Sequence, residues 1–473
     1  LKSRPFSSEP IEAELLLGTY LLGYGMGLSM GDARVMPTGD QLLNAPYSGF
    51  QHRSYIGSSY SLPHRGVSLS IGDTLRWSVW GSDRPYLDPY NGEEDLIKPD
   101  RLGRNRLPWA EQEPSSGAAS WGGSTLRLQM LGTRLEVHHP RLEFGLAYWS
   151  ARLMPSDSVL ALVNQALRGQ AASRYASLRM FSLDAAANLP LVQLQLEVAT
   201  DRNGNPAGLL HLESKEIGGL SGVSQVRYFS AGFASPFGKT YARWGGIPGN
   251  ERGLYVGWQY RPHRDWRWLS FGDLYATRFP RKGALYPQQG VMYGAALEWS
   301  PSHARLLLKA RHRRESVEVP DLDAYGRSYT SLTENQNWML EARLEGPLTS
   351  TLSGILRLAV VRDQHQQGRL ISQEVRWQPH RTLRLQGRVA TYHSPSGGPA
   401  LYLFEPDPVS RGRSVRLSGQ GIRQYLQLHY QPKHWLNLQF KWMDQELPLE
   451  YYLPDKGHLQ QWSLRLELKD PIK

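Results

Sequence analysis

Tyr260-Arg-Pro262-His-Arg-Asp-Trp266, Trp299-Ser-Pro301-Ser-His303, Trp377-Gln-Pro379-His-Arg-Thr-Leu383 and Tyr430-Gln-Pro432-Lys-His-Trp435 are four settings of one line. An aromatic residue, a spacer, a proline and a few polar residues lead into a stretch of strict apolar/polar alternation. Proline presets φ for the second position of a tight turn and cannot donate to a ladder, so each copy should close one strand and open the next. The flanking strands place Leu, Val, Trp and Tyr on one face and Arg, Lys, Gln and Glu on the other, with rings near the turns. A sheet needs that arrangement when one face meets lipid and the other water.

The rhythm runs through most of the 473 residues with no Gly/Ser or Pro linker dividing them, so a single domain over 1–473 is expected. Hydrophobic content of 40% and a mean hydropathy of −0.48 are too polar for a helical membrane protein and suit a barrel with a hydrophilic interior. The longest uncharged run, Leu15 to Gly31, is broken by Gly18, Gly23, Gly25 and Gly27. It falls short of the roughly 20 apolar residues of a spanning helix. The expected class is therefore all-β: a transmembrane antiparallel up-and-down β-barrel of the bacterial outer membrane, with roughly 16 to 22 strands. A soluble propeller or sandwich would also give many short strands, but its blades should repeat at one period, and here the intervals are uneven.

The long polar connections, Ser82–Trp121, Pro155–Ser173, Ser316–Asn337 and Ser394–Gly421, should be extracellular and the proline turns periplasmic. Ser158–Gln170 is the one helix-like stretch, placed in a loop. A signal peptide removed before the Leu start is expected, because no basic region and apolar core precede a cleavage site.

The formal charge is +11, and alternation assigns much of it to the interior. Leu383, Leu385 and Val389 face out while Arg384, Gln386 and Arg388 face in. Leu436, Leu438, Phe440 and Trp442 oppose Asn437, Gln439 and Lys441; Trp462, Leu464 and Leu466 oppose Ser463, Arg465 and Glu467. The same parity assigns Arg76, Arg127, Arg305, Lys309, Arg311, Arg343, Arg357, Arg376 and Arg423 inward, against Glu197, Glu298, Glu341 and Glu467. A net basic lumen is expected.

Chemical motifs are few. Gly27-Leu-Ser29-Met-Gly31 matches a hydrolase nucleophile elbow in letters, but no helical pattern follows the serine. Asp201-Arg-Asn203-Gly-Asn205 begins like a calcium loop, yet Pro206 and Leu212 occupy the positions of the required glycine and bidentate carboxylate, which favours a tight turn. His138-His139 has no metal spacing, and Asp321 with Asp323 reads as a solvated loop. No phosphate loop or dinucleotide fingerprint occurs. No catalytic residue, metal or cofactor is assigned, and no enzymatic role is expected.

Glu197-Val-Ala-Thr-Asp-Arg-Asn203-Gly204, Asn250-Glu251-Arg252-Gly253-Leu254-Tyr255, Phe271-Gly-Asp273-Leu-Tyr275 with Phe279-Pro280, Leu401-Tyr402-Leu-Phe-Glu405-Pro-Asp407 and Gly419-Gln-Gly421-Ile-Arg423-Gln-Tyr425 occur in that order. Earlier come Leu17-Gly18-Thr-Tyr20, Gly25-Met-Gly27 and His64-Arg65-Gly66-Val67. In that order these segments resemble a Bacteroidota-type family of outer-membrane barrels associated with a periplasmic helix-hairpin-helix module. The module is absent from this stretch of chain, and the end, Leu466-Glu-Leu468-Lys-Asp-Pro-Ile-Lys473, lacks the terminal aromatic usual for such barrels. The resemblance implies fold and outer-membrane location, with DNA uptake as a specialised possibility.

The leading functional expectation is a conduit, porin-like or for an anionic polymer, with a basic lumen. The alternatives are a plugged structural or docking subunit of an envelope complex, a DNA-uptake barrel, and an outer-membrane lipid hydrolase using Ser29. Expected partners are outer-membrane lipid and lipopolysaccharide, an anionic solute or nucleic acid, and other envelope proteins.

Overall fold

A computed structural model of the chain describes residues 12–31, 51–54, 64–85, 126–155 and 178–468, apart from 234, 236, 239, 244–247, 281–284, 323–324, 326, 365, 396–397, 407–412, 434 and 447–457. The helix-like stretch at 158–170 and most of the two connections expected near 82–121 and 155–173 lie outside these residues.

The described chain is all-β. Its strands are β1 (Ala13–Gly23), β2 (Gln51–Ser54), β3 (His64–Ile71), β4 (Leu75–Pro85), β5 (Leu126–His139), β6 (Leu142–Pro155), β7 (Leu178–Asn188), β8 (Val192–Asp201), β9 (Pro206–Ser214), β10 (Leu220–Phe229), β11 (Glu251–His263) and β12 (Trp266–Ala276). There follow β13 (Gln289–Trp299), β14 (Arg305–Leu322), β15 (Ser328–Pro347), β16 (Leu352–Arg362), β17 (Gln367–His380), β18 (Leu383–Ser394), β19 (Leu401–Glu405), β20 (Arg413–Leu417), β21 (Gly419–Lys433), β22 (Leu436–Glu446) and β23 (His458–Leu468). All but β19 and β20 belong to one 21-stranded sheet, inside the expected range.

Two compact units are distinguished within the chain. In the first, β3 to β10 pair antiparallel in sequence order, with β1 between β2 and β3. In the second, β13 to β18 do the same, the ladder passes to β21, β22 and β23, and β19–β20 forms a separate two-stranded hairpin.

Period-two alternation decides which side chains share a face. On β5, Leu131, Leu135 and Val137 are exposed while Met130, Arg134 and Glu136 are buried. On β23, Trp462, Leu464 and Leu466 are exposed, and Arg465 shares the opposite face with its ladder partner Gln439. In water this sheet would be inside out: its apolar side chains are exposed, and its ionic ones are covered. Lipid against the apolar face removes the contradiction, since burying charge without partners costs several kcal/mol and exposing Leu to hydrocarbon costs nothing. This is the up-and-down transmembrane β-barrel class of the outer membrane.

The prolines act differently from the turn rule. Pro262, Pro379 and Pro432 lie in the last residues of β11, β17 and β21, just before the turns, and Pro301 opens its turn, its carbonyl accepting from the Ala304 N–H at 2.9 Å. The ladder register shifts between Trp377 and His380 and between Tyr430 and Lys433. A proline that cannot donate is tolerated at such a bulge, and the residue before it donates instead: Gln378 to Thr351 at 2.8 Å and Gln431 to Thr382 at 2.7 Å.

Two connections read from polarity are corrected. Ser316–Asn337 is no open loop, because β14 and β15 stay paired from Arg305↔Glu345 out to Leu322↔Ser328. Ser394–Gly421 is not simply an extracellular connection either: it holds the β19–β20 hairpin, which packs Leu401, Leu403 and Leu417 against Ala359, Leu370, Ala390 and Tyr392 of the sheet's polar face.

In the first unit the polar face is also covered from within the chain. Positive φ at Gly25 and Gly27, +57° and +78°, turns residues 24–30 inward after β1. Tyr24, Leu28 and Met30 join Trp80, Trp149, Phe233 and Phe237 in one buried cluster.

Candidate functional site

The second unit brings cations together on one face by ladder register. Arg343 pairs with Arg357, Glu374 with Arg388, Arg376 with Gln386, Ala390 with Arg423 and Gln427 with Lys441, and residues directly opposite each other share a face. Onto this face folds β19. Its partner β20 occupies one edge, so the carbonyls along the other edge need donors. Guanidiniums supply them: Arg357 Nη1 donates to the Tyr402 carbonyl at 3.0 Å, and Arg388 Nη1 to the Phe404 carbonyl at 2.6 Å.

Each of these arginines is held from behind. Arg357 grips Glu341 through Nε at 3.0 Å and Nη2 at 3.1 Å, a bidentate pair; Arg388 Nε donates to Glu374 at 2.8 Å. The strand ends on Glu405, fully buried, which accepts from Arg423 Nε at 2.6 Å and Nη2 at 2.9 Å and from Lys441 Nζ at 3.1 Å. Lys441 also donates to the Pro406 carbonyl at 2.9 Å. The hairpin lies outside the spanning strands, and burial alone would lift the Glu405 carboxyl. Arg423 and Lys441 outweigh that and hold it below its ordinary value.

Beside the clamped hairpin lies a cavity of about 580 Å³, lined by Arg343, Arg357, Arg376, Arg384 and Arg388, by Glu341 and Glu374, and on the hairpin side by Tyr402, Leu403, Phe404 and Pro406. Its arginines divide by role. Arg357 and Arg388 are spent on the hairpin. Arg343 donates to Glu345 at 2.8 Å, and Arg376 to Glu374 at 2.7 Å with Glu345 a further 3.9 Å away. Arg384 has only His429 Nδ1, at 3.3 Å, and no carboxylate among the described residues.

Of the expected interior cations, these five line the cavity, and Arg423 and Lys441 lie beneath the hairpin. Arg305, 2.8 Å from Glu298, Lys309, opposite Glu341, and Arg465, 3.4 Å from Glu467, share the same face elsewhere. Arg76 lies on the polar face of β4 with Ser78 and Trp80, its Nε 3.4 Å from the Gly72 carbonyl. The side chain of Arg127 lies outside the described residues. Alternation did not single out the organising acids, Glu374 and Glu405, nor the hairpin that uses them. The run Leu401-Tyr402-Leu-Phe-Glu405 has no apolar/polar alternation, although its burial in the fold alternates.

The other motifs have structural duties. Ser29 is buried, its hydroxyl 3.2 Å from the Tyr24 hydroxyl and accepting from Trp149 Nε1 at 3.0 Å, and among the described residues no histidine bonds it as an activating base would. Glu197 accepts the N–H groups of Met26, Leu28 and Ser29 at 2.6, 3.1 and 3.1 Å, so this carboxylate holds the inward turn. Arg134 bridges Glu136 at 2.5 Å and Asp184 at 2.6 and 2.9 Å, and Arg227 pairs with Glu251. Asp201 accepts from Asn203 N at 2.8 Å and Asn205 N at 3.0 Å, which makes the calcium-like sequence a turn. His138 lies 3.5 Å from Glu136, and Asp321 accepts from the Tyr329 hydroxyl at 2.9 Å; Asp323 lies outside the described residues. Among the described residues no group of three metal-ligating side chains gathers.

No family model and no curated protein matches the chain. Solved structures that resemble it include the siderophore receptor PiuA from Acinetobacter baumannii, with 10% identity, TM-score 0.41, and coverage of 89% of this chain and 76% of that one. The ferric-catecholate import receptor Fiu from E. coli K12, in its closed form, has 10% identity and TM-score 0.38, covering 83% and 72%. An anion-selective porin from Comamonas acidovorans has 12% identity and TM-score 0.32, covering 63% and 87%.

Proposed function

We propose that this outer-membrane barrel is a passive conduit for anionic solutes, with the β19–β20 hairpin and its arginines as the selective element of the second unit. One observation carries the reading: a cavity on the interior face in which five guanidiniums meet two lining carboxylates. Fixed positive charge lining a low-dielectric path lowers the cost of passing an anion and raises that of a cation. The excess survives the ion pairs because Arg384 is held by no acid among the described residues and Arg343 and Arg376 share Glu345. The test is the reversal potential of purified protein in a planar bilayer under a salt gradient. Anion preference that weakens when Arg343, Arg376 and Arg384 are all changed to Gln supports the reading, and an unaltered preference refutes it.

A second reading has its own observation. Tyr24, Leu28, Met30, Phe233 and Phe237 cover the polar face of the first unit with aromatic and aliphatic side chains. A barrel filled in this way would serve as a structural or docking subunit, and the same bilayer experiment separates the two: this reading predicts no conductance.

A further inference from the structure

We propose that the cavity beside the hairpin is a binding site for a small organic dianion with an apolar portion, a phosphate monoester or a dicarboxylate. The inference rests on the conduit reading only for the ligand's route of entry.

The charge balance gives the valence. Five guanidiniums line the cavity, and the acids facing them are Glu341 and Glu374 in the lining and Glu345, which Arg343 and Arg376 share. The excess is two positive charges, which a dianion neutralises. A monoanion would leave one charge of that excess unmatched.

Donor geometry gives the anion type. Arg343 donates through Nη2 to Glu345, an acid that Arg376 also approaches, so its guanidinium has only a shared carboxylate. Arg384 presents its fork with only a histidine nitrogen beside it. Guanidiniums of this kind recognise carboxylate and phosphate oxygens in pairs, which a spherical halide cannot satisfy.

The opposite wall gives the rest of the ligand. Tyr402, Leu403, Phe404 and Pro406 from the hairpin and Ile355 from β16 line the same space. About 580 Å³ falls in the size range of small-molecule sites, which bury an apolar body and fix it with a few polar groups. An aromatic ring against Tyr402 or Phe404 with its anion toward Arg343 and Arg384 uses both walls. The cavity is thus a specificity site within a selective path, and a saturating one.

Isothermal titration of the full chain in detergent tests this with phenyl phosphate and phthalate as dianions, benzoate as the monoanion, benzyl alcohol as the neutral analogue and chloride as the simple ion. Saturable binding of at least one dianion, tenfold or more tighter than benzoate, with none for benzyl alcohol, is expected. Whether phenyl phosphate or phthalate wins distinguishes a tetrahedral from a planar anion. The double variant Arg343→Gln/Arg384→Gln should weaken binding at least tenfold while circular dichroism stays native, and Arg264→Gln, on an exposed turn, should leave it unchanged. Equal affinity for all five probes, or a dianion affinity indifferent to the double variant, overturns the proposal; so does an equal loss in Arg264→Gln. If the double variant misfolds, saturable block of wild-type conductance by phenyl phosphate but not benzyl alcohol decides in its place. Anion-selective conductance without saturable binding would leave the conduit standing and remove this site, whereas binding without conductance would do the reverse.

Discussion

Removing the Glu405 carboxylate should release the β19–β20 hairpin. Glu405 is fully buried, with Arg423 2% and Lys441 4% exposed beneath it, so Glu405→Ala takes from both cations the carboxylate they share. Arg423 keeps Gln445 and Lys441 keeps the Pro406 carbonyl, both neutral acceptors. Breaking a buried ion pair from one side costs about 3 to 5 kcal/mol. The neighbouring anchors Leu401, Leu403 and Leu417 hold the hairpin by apolar contact, and each would cost about 2 to 5 kcal/mol if truncated to alanine. The loss of Glu405 therefore amounts to one such anchor, enough to raise the open population by about two to three and a half orders of magnitude at 1.4 kcal/mol per tenfold. Hydrogen exchange resolved by mass spectrometry should show faster exchange over 401–417, with β21–β23 protected as before. Tyr402→Ala, an exposed side chain whose backbone carbonyl still accepts from Arg357, should leave exchange unchanged. Unchanged protection in Glu405→Ala would refute the claim that this carboxylate clamps the hairpin.

Other outcomes follow from the same geometry. Because Glu405 titrates below its ordinary value, its contribution is complete above about pH 4.3, the usual glutamate value, and is lost as pH falls through the depressed one; hairpin protection factors, corrected for the intrinsic pH dependence of amide exchange, should be flat from pH 8 to 5 and fall only in stronger acid. Leu464→Arg, at the middle of β23 on the lipid face, should destabilise by about 2 to 4 kcal/mol in liposome unfolding, while Arg465→Gln one residue away should change little; equal effects would contradict the assigned faces. Gly25→Ala should lower the melting temperature, since a Cβ there would sit 2.7 Å from Glu197 Oε2 at a φ of +57°; an unchanged melt would argue against the inward turn. With no native cysteine to interfere, single cysteines at Thr382 and Ser302 should resist an impermeant label in intact cells and one at Asp363 should react. The reverse pattern would invert the orientation.

The faces of the strands were legible because alternation has period two and one face must be apolar; Leu383 to Val389 and Trp462 to Leu466 could be assigned without coordinates. The site was only half legible. Parity set Arg343, Arg384 and Arg423 on the interior face, but ion pairing depends on the register between neighbouring strands, which a register shift at Trp377/His380 alters, and Glu374 opposite Arg388 cannot be read from either strand alone. For that reason Arg388 and Arg423, which looked like selectivity charges, turn out to be fasteners of the hairpin, and replacing them would confuse release with loss of charge. The hairpin was hidden because the Pro and Gly residues of Ser394–Ala400 mark a loop, and nothing local says whether a loop folds outward or onto the sheet. Ser29 was set aside for want of a following helix, and Gly27 of its motif has positive φ in the inward turn.

The measurement that tests the central claim most directly is the reversal potential of the wild-type barrel and of Arg343→Gln/Arg376→Gln/Arg384→Gln across a salt gradient, recorded at about 0.1 M and again near 1 M. The account predicts anion selectivity in the wild type, a shift toward cations in the variant, and fading of the difference as the Debye length shortens from about 10 Å to about 3 Å. A folded barrel without conductance at either salt, or one that prefers cations, would contradict it.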